Sequence, residues 1–192
     1  MKRLLFLLIP TLLASAGPAM AQGRYLTKTG RVTFFSASPI EDIEAQNQQA
    51  GAMIDLGSGQ VAFSIPIRSF TFKRTLMQEH FNENYLESDK FPKATFSGKV
   101  QGANAATLSQ GPQKVTVEGD LTIHGVTHHV TVPGMLELKN NQLQAAATFS
   151  VAPADYNIEI PLLVRDNIAK IVSVRVALAC DPVATTPSAT AH

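Results

Sequence analysis

Apolar and polar side chains alternate with period two along most of the chain after residue 30. Alternation of this kind is typical of β-strands that bury one face. The parity of the apolar residues changes near Arg68-Ser69, where we expect a β-bulge. The pattern predicts strands in the following segments: 31–36, 53–54, 60–68, 94–100, 114–123, 127–138, 142–151 and 168–178.

The segment 114–138 predicts a β-hairpin, because its inward apolar residues have odd numbers before Gly125 and even numbers after it. A two-residue loop at Gly125-Val126 would use the glycine for the positive φ that a type II′ turn requires. Ile123 then faces His128, and every inward residue pairs with another inward residue. In this register His124 points outward and His128 points inward.

A second tight turn is predicted at Asn140-Asn141, because both asparagines tolerate the positive φ of a type I′ turn. Leu138 then faces Leu143 across the hairpin.

Two segments lack the alternation. Residues 75–91 carry apolar side chains at helical spacing and predict a short helix that ends before Pro92, and residues 40–49 are a second candidate for a short helix.

These elements predict an all-β fold, an antiparallel, lipocalin-like barrel of about eight strands with one or two short helices. A barrel of this size has an interior that side chains fill or that holds one small ligand. The small inward residues have two possible interpretations. Either they fit the narrowing interior of a barrel that side chains fill, or they leave space for a ligand. These residues are Gly98, Gly119, Gly134, Ala145 and Ala147.

The two ends of the chain differ from the barrel segment. Residues 1–21 combine a basic start, an apolar stretch and the small-residue sequence Ala19-Met20-Ala21, which predicts a cleaved signal peptide and a periplasmic protein. Residues 184–192 are rich in Ala and Thr without periodicity, so we expect a disordered tail. The domain therefore spans 22–183.

Charge and cysteine content exclude several classes of function. Removal of residues 1–21 leaves 14 basic and 15 acidic residues, a near-neutral balance without the basic footprint of a nucleic-acid-binding protein. The apolar stretch of the signal is too short for a stable membrane anchor. Cys180 is the only cysteine, so an intramolecular disulfide is excluded, and we expect a buried thiol there.

We expect neither catalytic residues nor a metal site. The sequence contains no nucleophile elbow and no glycine-rich phosphate loop. His124 and His128 lie on opposite faces of the predicted hairpin and therefore cannot chelate one ion. His124 and His129 share the outer face, where only weak, adventitious metal binding is expected. An enzyme that uses His80, His128 and nearby acids is the least favoured hypothesis.

Two stretches resemble a known family. Residues 80–96 read HFNENYLESDKFPKATF and resemble the helix-to-strand segment of YceI-like proteins. Residues 119–127 read GDLTIHGVT and resemble the hairpin of the same family. The resemblance covers about residues 25–180. It implies an exported, lipocalin-like antiparallel barrel that binds a polyisoprenoid chain and has no enzyme activity.

We therefore expect a binding protein for a long apolar lipid, with no cofactor other than a bound isoprenoid lipid. The alternative is a filled barrel that acts as a structural or interaction domain without a small-molecule ligand. The expected partner is the lipid and not nucleic acid, and the sequence does not decide between a monomer and a homodimer. The expected ligand-binding residues are Phe63, Ile65, Phe70, Phe72, Leu76, Met77, Phe81, Tyr85, Phe96, Leu121, Ile123, Val130, Val132 and Leu136.

Overall fold

A computed structural model describes residues 23–39, 42–162 and 168–183. The predicted signal peptide (1–21) and the predicted tail (184–192) lie outside the described residues. Within the described ranges, the helical segments are all too short to cross a lipid bilayer.

Nine strands, all antiparallel to their neighbours, form one sheet in the described part of the chain. Eight of them close into a barrel in the order β1-β9-β8-β7-β6-β5-β3-β2, because β2 pairs again with β1. The two-residue strand β4 pairs only with β2. The strands are β1 (Arg24–Ser36), β2 (Ile43–Asp55), β3 (Gln60–Pro66), β4 (Thr71–Phe72), β5 (Lys93–Gln101), β6 (Gln113–Ile123), β7 (Val126–Lys139), β8 (Gln142–Val151) and β9 (Val172–Pro182).

The predicted fold class is confirmed as a closed, antiparallel eight-stranded barrel with one short helix. The turn at Asn140-Asn141 is also confirmed, since both residues have positive φ and Leu138 pairs with Leu143. Strand ends differ from the expectation at both termini. The first strand begins at Arg24 rather than residue 31, and the last begins at Val172 rather than residue 168.

The loop of the β6–β7 hairpin lies one residue earlier than predicted. His124 and Gly125, with φ of 49° and 75°, occupy the turn, and Ile123 pairs with Val126. Both positions have positive φ, as a type I′ turn requires, so the predicted type II′ loop at Gly125-Val126 is wrong. The pairing of Ile123 moves by two residues, from His128 to Val126, and a shift of two preserves which residues face inward.

The predicted helix at 40–49 is wrong, because its described part belongs to β2. The inward residues Ala45, Asn47 and Ala50 are buried, whereas Gln46 and Gln48 are exposed. Alanine and glutamine favour helices, and a polar residue at an inward position hides the period of two. Asn47 tolerates complete burial because its amide nitrogen donates to the Pro66 carbonyl at 2.8 Å.

The parity change after β3 has a different cause from the predicted β-bulge. A 3₁₀ turn, Ile67–Ser69, separates β3 from β4 and rotates the chain so that Phe70 is buried. The helix that follows is shorter than the predicted 75–91. It consists of α1 (Thr75–His80) and one π-helical turn (Phe81–Tyr85), which a hydrogen bond from Leu86 N to Phe81 O closes at 2.9 Å.

Side chains fill the half of the barrel that contains the β7–β8 turn. The loop between β5 and β6 covers this end and inserts Leu108, whose exposed fraction is 0%. Gln113 fixes the loop by donating to the Asn104 carbonyl and to the Thr107 hydroxyl, at 3.2 and 2.8 Å. The buried residues of this closed half are Ala52, Ile54, Val61, Val100, Leu108, Val115, Leu136, Leu143, Leu178 and Cys180.

Candidate functional site

A cavity of about 390 Å³ occupies the opposite, open half of the barrel. Its wall combines the barrel strands with α1, the π-helical turn and the segment that follows β8. Among the described residues, His80 is the only basic side chain in the lining, and no carboxylate belongs to it. The lining residues are Val32, Phe34, Ser36, Ser38, Ile43, Ile65, Ile67, Phe70, Phe72, Met77, His80, Phe81, Tyr85, Leu86, Ala94, Leu121, Ile123, Phe149, Val151, Pro153, Ile158, Ile160, Ile168, Val172 and Val174.

Four phenylalanine rings pack together on one side of the cavity. Phe81, from the π-helical turn, has its ring centroid 5.4 Å from Phe34, 5.5 Å from Phe70 and 5.0 Å from Phe72. These separations are in the range of favourable aromatic pairs. Phe81 therefore ties the helical segment to β1 and β4 and makes that segment part of the cavity wall.

Phe63 and Phe96 lie beyond the residues that line the cavity, on the side of the closed half. They pair across β3 and β5, with ring centroids 6.0 Å apart, and both pack against the closed half. The Phe96 ring lies over a glycine pair, since its Cζ would be 2.7 Å from a Cβ added at Gly98 and 2.9 Å from one added at Gly119. At positions 98 and 119, glycine therefore provides space for the Phe96 ring and not for a ligand.

Eight of the predicted ligand-binding residues line the cavity, and six do not. Phe63, Phe96 and Leu136 pack in or against the closed half. Leu76 points away from the cavity and is 60% exposed. Val130 and Val132 border a separate cleft on the barrel wall. The eight that line the cavity are Ile65, Phe70, Phe72, Met77, Phe81, Tyr85, Leu121 and Ile123.

Sequence reasoning missed a large part of the wall. The inward periodicity of β8 and β9 already marks Phe149, Val151 and Val174, and the first strand marks Phe34 in the same way. The segment after β8 carries Ile158 and Ile160 at a spacing of two, which signals an apolar side even outside a strand. Whether an inward residue lines the cavity or belongs to the core depends on its position along the barrel axis. The alternation of apolar and polar residues does not predict that position.

His124 connects three segments beside the open end. Its Nδ1 lies 3.1 Å from the Tyr156 carbonyl oxygen, and its Nε2 lies 3.0 Å from Oε2 of Glu87. The ring also packs against Phe91, with centroids 4.5 Å apart. The side chain is 10% exposed, so His124 is covered by these segments rather than by solvent, and it does not line the cavity. It occupies the turn and fixes the residues that follow the helix and β8.

Glu87 has two ionic partners beside the open end. It bonds with Lys90 as well as with His124. The hydrogen bond with Lys90 and then the bond with His124 lower the pKa of Glu87 below its ordinary value. The carboxylate is therefore available to hold His124 at neutral pH.

A polar cleft opens where β7 and β8 diverge. The ladder between these strands runs from Lys139↔Gln142 to Gly134↔Ala147. Beyond it, the 3₁₀ turn Pro153–Tyr156 covers the gap. His128 borders this cleft on the same face of the sheet as its partner Leu121, so its predicted inward position agrees with the register, but the side chain is exposed and its Nε2 lies 2.7 Å from the Asp155 carbonyl oxygen. The cleft shares Leu121, Phe149 and Val151 with the cavity.

His129 lies on the outer surface between two carboxylates. Its Nδ1 is 2.8 Å from Oδ1 of Asp120, and its Nε2 is 3.1 Å from Oε1 of Glu118. The bond with Asp120 and then that with Glu118 raise the pKa of His129 above its ordinary value. Across the described ranges, no three His, Cys, Asp or Glu side chains are arranged to hold a metal ion.

We expect the imidazole of His129 to titrate above about 6.5 in an NMR pH series. Asp120→Asn should lower the midpoint more than Glu118→Gln, because Asp120 contributes the larger effect. The charged form is favoured in the folded state, so the small stabilisation is complete below about pH 6.5 and disappears as pH rises through the raised pKa. Equal midpoints in the wild type and Asp120→Asn would contradict this assignment.

The single cysteine is part of the closed half. Cys180 has an exposed fraction of 0%, as expected for a buried thiol. Burial and then the charge of Asp181 raise its pKa to about 11. A thiol in this state is a packing residue, because the reactive thiolate is scarce at neutral pH.

Comparison with known proteins identifies related sequences and folds. A model of the YceI-like domain matches residues 20–180 of the chain. A search of curated protein sequences finds no significant match. Several solved structures share the fold. BcnA of Burkholderia cenocepacia has a TM-score of 0.66 at 18% identity, over 78% of this chain and 95% of its own.

The second structure is a polyisoprenoid binding domain from Saccharophagus degradans implicated in plant cell wall breakdown. Its TM-score is 0.72 at 16% identity, and the match covers 84% of this chain and 99% of that one. A YceI protein from Campylobacter jejuni is also similar, with a TM-score of 0.55 at 15% identity over 74% and 88% of the two chains.

Proposed function

Since the chain belongs to the family of YceI-like domains, we propose that it is an exported, periplasmic protein that holds a long apolar lipid inside its barrel. A polyisoprenoid is the ligand we favour, and the role would be transport, storage or stress protection. The observation that carries this proposal is the cavity of about 390 Å³, with a wall that is almost entirely apolar. A structurally similar domain is described as polyisoprenoid-binding.

The chemistry of the wall supports an uncharged chain as ligand. A charged group inside the cavity would lose its hydration, which costs several kcal/mol, and among the described lining residues only His80 could pair with an anion and none could pair with a cation. An apolar chain gains about 25 cal/mol for each Å² removed from water, so burying about 300 Å² contributes about 7 kcal/mol. Loss of translational and rotational freedom offsets part of this gain. Micromolar affinity corresponds to about 8 kcal/mol, so burial of about 300 Å² is not sufficient for it, and we expect micromolar binding only for a ligand that buries a larger apolar area.

Catalysis is not part of the proposal. The wall contains one histidine, His80, two serine hydroxyls and the phenol of Tyr85. Burial raises the pKa of Tyr85 above its ordinary value, so the phenol stays neutral. A neutral phenol and two hydroxyls suit orientation of a polar end group near the mouth.

Mass spectrometry of an organic extract tests the proposal directly. The chain is produced with its signal, isolated from the periplasm without detergent and extracted. We expect one class of isoprenoid lipid at up to one molecule per protein, absent from an extract of an unrelated periplasmic protein. Folded protein that carries no lipid and binds no added isoprenoid would contradict the proposal and favour the filled-barrel alternative.

A further inference from the structure

The size of the cavity limits how much of a ligand the barrel encloses. A cavity of about 150 Å³ accommodates one benzene ring, which has six carbon atoms. By the same proportion, the cavity of about 390 Å³ accommodates about 15 carbon atoms. This number corresponds to three isoprene units, far less than the full length of a long polyisoprenoid.

The limit has a structural cause in the boundary between the two halves of the barrel. The pair Ile65↔Ala94 lines the cavity, and the pair Phe63↔Phe96, two residues further along the same strands, does not. On these two strands the cavity therefore ends between the two pairs. The Phe96 ring fills the space beyond this end and lies over the paired glycines 98 and 119.

Among the described lining residues, the polar side chains are those of Ser36, Ser38, His80 and Tyr85, and we place the mouth of the cavity beside them. Ser36 and Ser38 lie at the end of β1, and His80 lies at the end of α1. The Ser36 hydroxyl already accepts a hydrogen bond from Ala169 N at 3.0 Å. A chain that enters with its apolar end first leaves its head group, and any length beyond the limit, at this mouth.

We infer that the barrel is a chain-length gauge, which encloses the apolar end of an isoprenoid chain up to about 15 carbon atoms, and that Phe96 sets this limit. The inference rests on the proposed function and adds to it the enclosed length of the ligand. Affinity should rise with each isoprene unit until this limit is reached. Further units remain outside and contribute little.

Competition against an apolar fluorescent dye tests the gauge. The probes are geraniol, farnesol and geranylgeraniol, which differ by one isoprene unit each, and the long-chain alcohol solanesol. We expect the affinity of the wild type to increase at least about tenfold from geraniol to farnesol, because five more carbons are buried. From farnesol to solanesol, we expect a change of less than about threefold.

Phe96→Ala should move the limit. Removal of the ring frees the space of about six carbon atoms, or roughly one isoprene unit. We expect this variant to bind geranylgeraniol at least about fivefold more tightly than farnesol. Phe35→Ala is the matched control, because Phe35 lies on β1, outside the cavity lining, and is 42% exposed. The control should keep the wild-type profile.

The outcomes separate the gauge from the proposed function. An affinity that keeps rising to solanesol, or a Phe96→Ala profile equal to that of the wild type, overturns the gauge alone. Absence of binding by all four alcohols, with no co-purified lipid, overturns the proposed function and the gauge together. If Phe96→Ala does not fold, Phe96→Leu should shift the profile in the same direction by a smaller amount, and an unchanged profile again overturns the gauge.

Discussion

Gly98→Ala should destabilise the barrel by about 3 kcal/mol or more, the upper end of what overpacking costs. A Cβ at this position would lie 2.2 Å from the Glu118 carbonyl oxygen and 2.8 Å from the Gly119 Cα. Both atoms belong to the neighbouring strand β6, so the clash cannot be relieved by a rotamer change. The Phe96 ring, 2.7 Å away at Cζ, closes the remaining side.

Urea denaturation followed by far-UV circular dichroism measures this effect. Gly51→Ala is the matched control, because Gly51 also lies in a barrel strand but an added Cβ would meet its nearest atoms at 3.7 and 3.9 Å. We expect the control to change the unfolding free energy by less than about 1 kcal/mol. Equal urea midpoints for the two variants would show that the Gly98–Gly119 contact is not rigid.

The barrel could be predicted from the sequence where side-chain period and turn chemistry agree. In 114–123 and 142–151, inward apolar residues alternate with polar ones. Asn140-Asn141 forms a turn with positive φ at both positions, which only a few residue types tolerate. The β6–β7 turn was harder to predict. Gly125 fits the first position of a type II′ turn and the second position of a type I′ turn equally well, and His124 at positive φ has no signature in the sequence.

Only the end of the second strand, at residues 53–54, was predicted, because most inward residues before it are small or polar. Burial of Asn47 depends on the Pro66 carbonyl, which the fold brings to it from nineteen residues away in the chain. A contact of this kind is decided by tertiary structure, and local propensity favours a helix there. The family resemblance of residues 80–96 and 119–127, by contrast, was sufficient to predict the barrel without this strand.

The lining of the cavity also could not be predicted completely from the alternation of apolar and polar residues. Alternation identifies the inward face but not the height of a residue along the barrel axis. Phe96 and Phe70 both point inward, yet Phe96 packs against the closed half and Phe70 lines the cavity. The glycine pair under Phe96 decides this difference, because it allows the ring to turn toward the closed half. Ring orientation depends on cross-strand packing, which becomes known only with the register.

Ala94→Phe should abolish most ligand binding while the barrel stays folded. Ala94 is buried on β5 and lines the cavity. A phenyl group needs a space of about 150 Å³, more than a third of the cavity of about 390 Å³. We expect the affinity for farnesol to fall at least about tenfold, because fewer carbons can leave water. Thermal unfolding should change little, since the ring occupies existing space.

Ala62→Phe is the control for this change, because Ala62 lies on the adjacent strand β3 and is exposed on the outer side. A ring at an exposed strand position is compatible with the sheet, so this variant should bind farnesol like the wild type. Val174→Phe repeats the test from β9, whose Val174 also lines the cavity. If both inward variants fold and bind with wild-type affinity, the ligand does not occupy this cavity, because two phenyl groups at separate points of the wall cannot both leave its space unchanged.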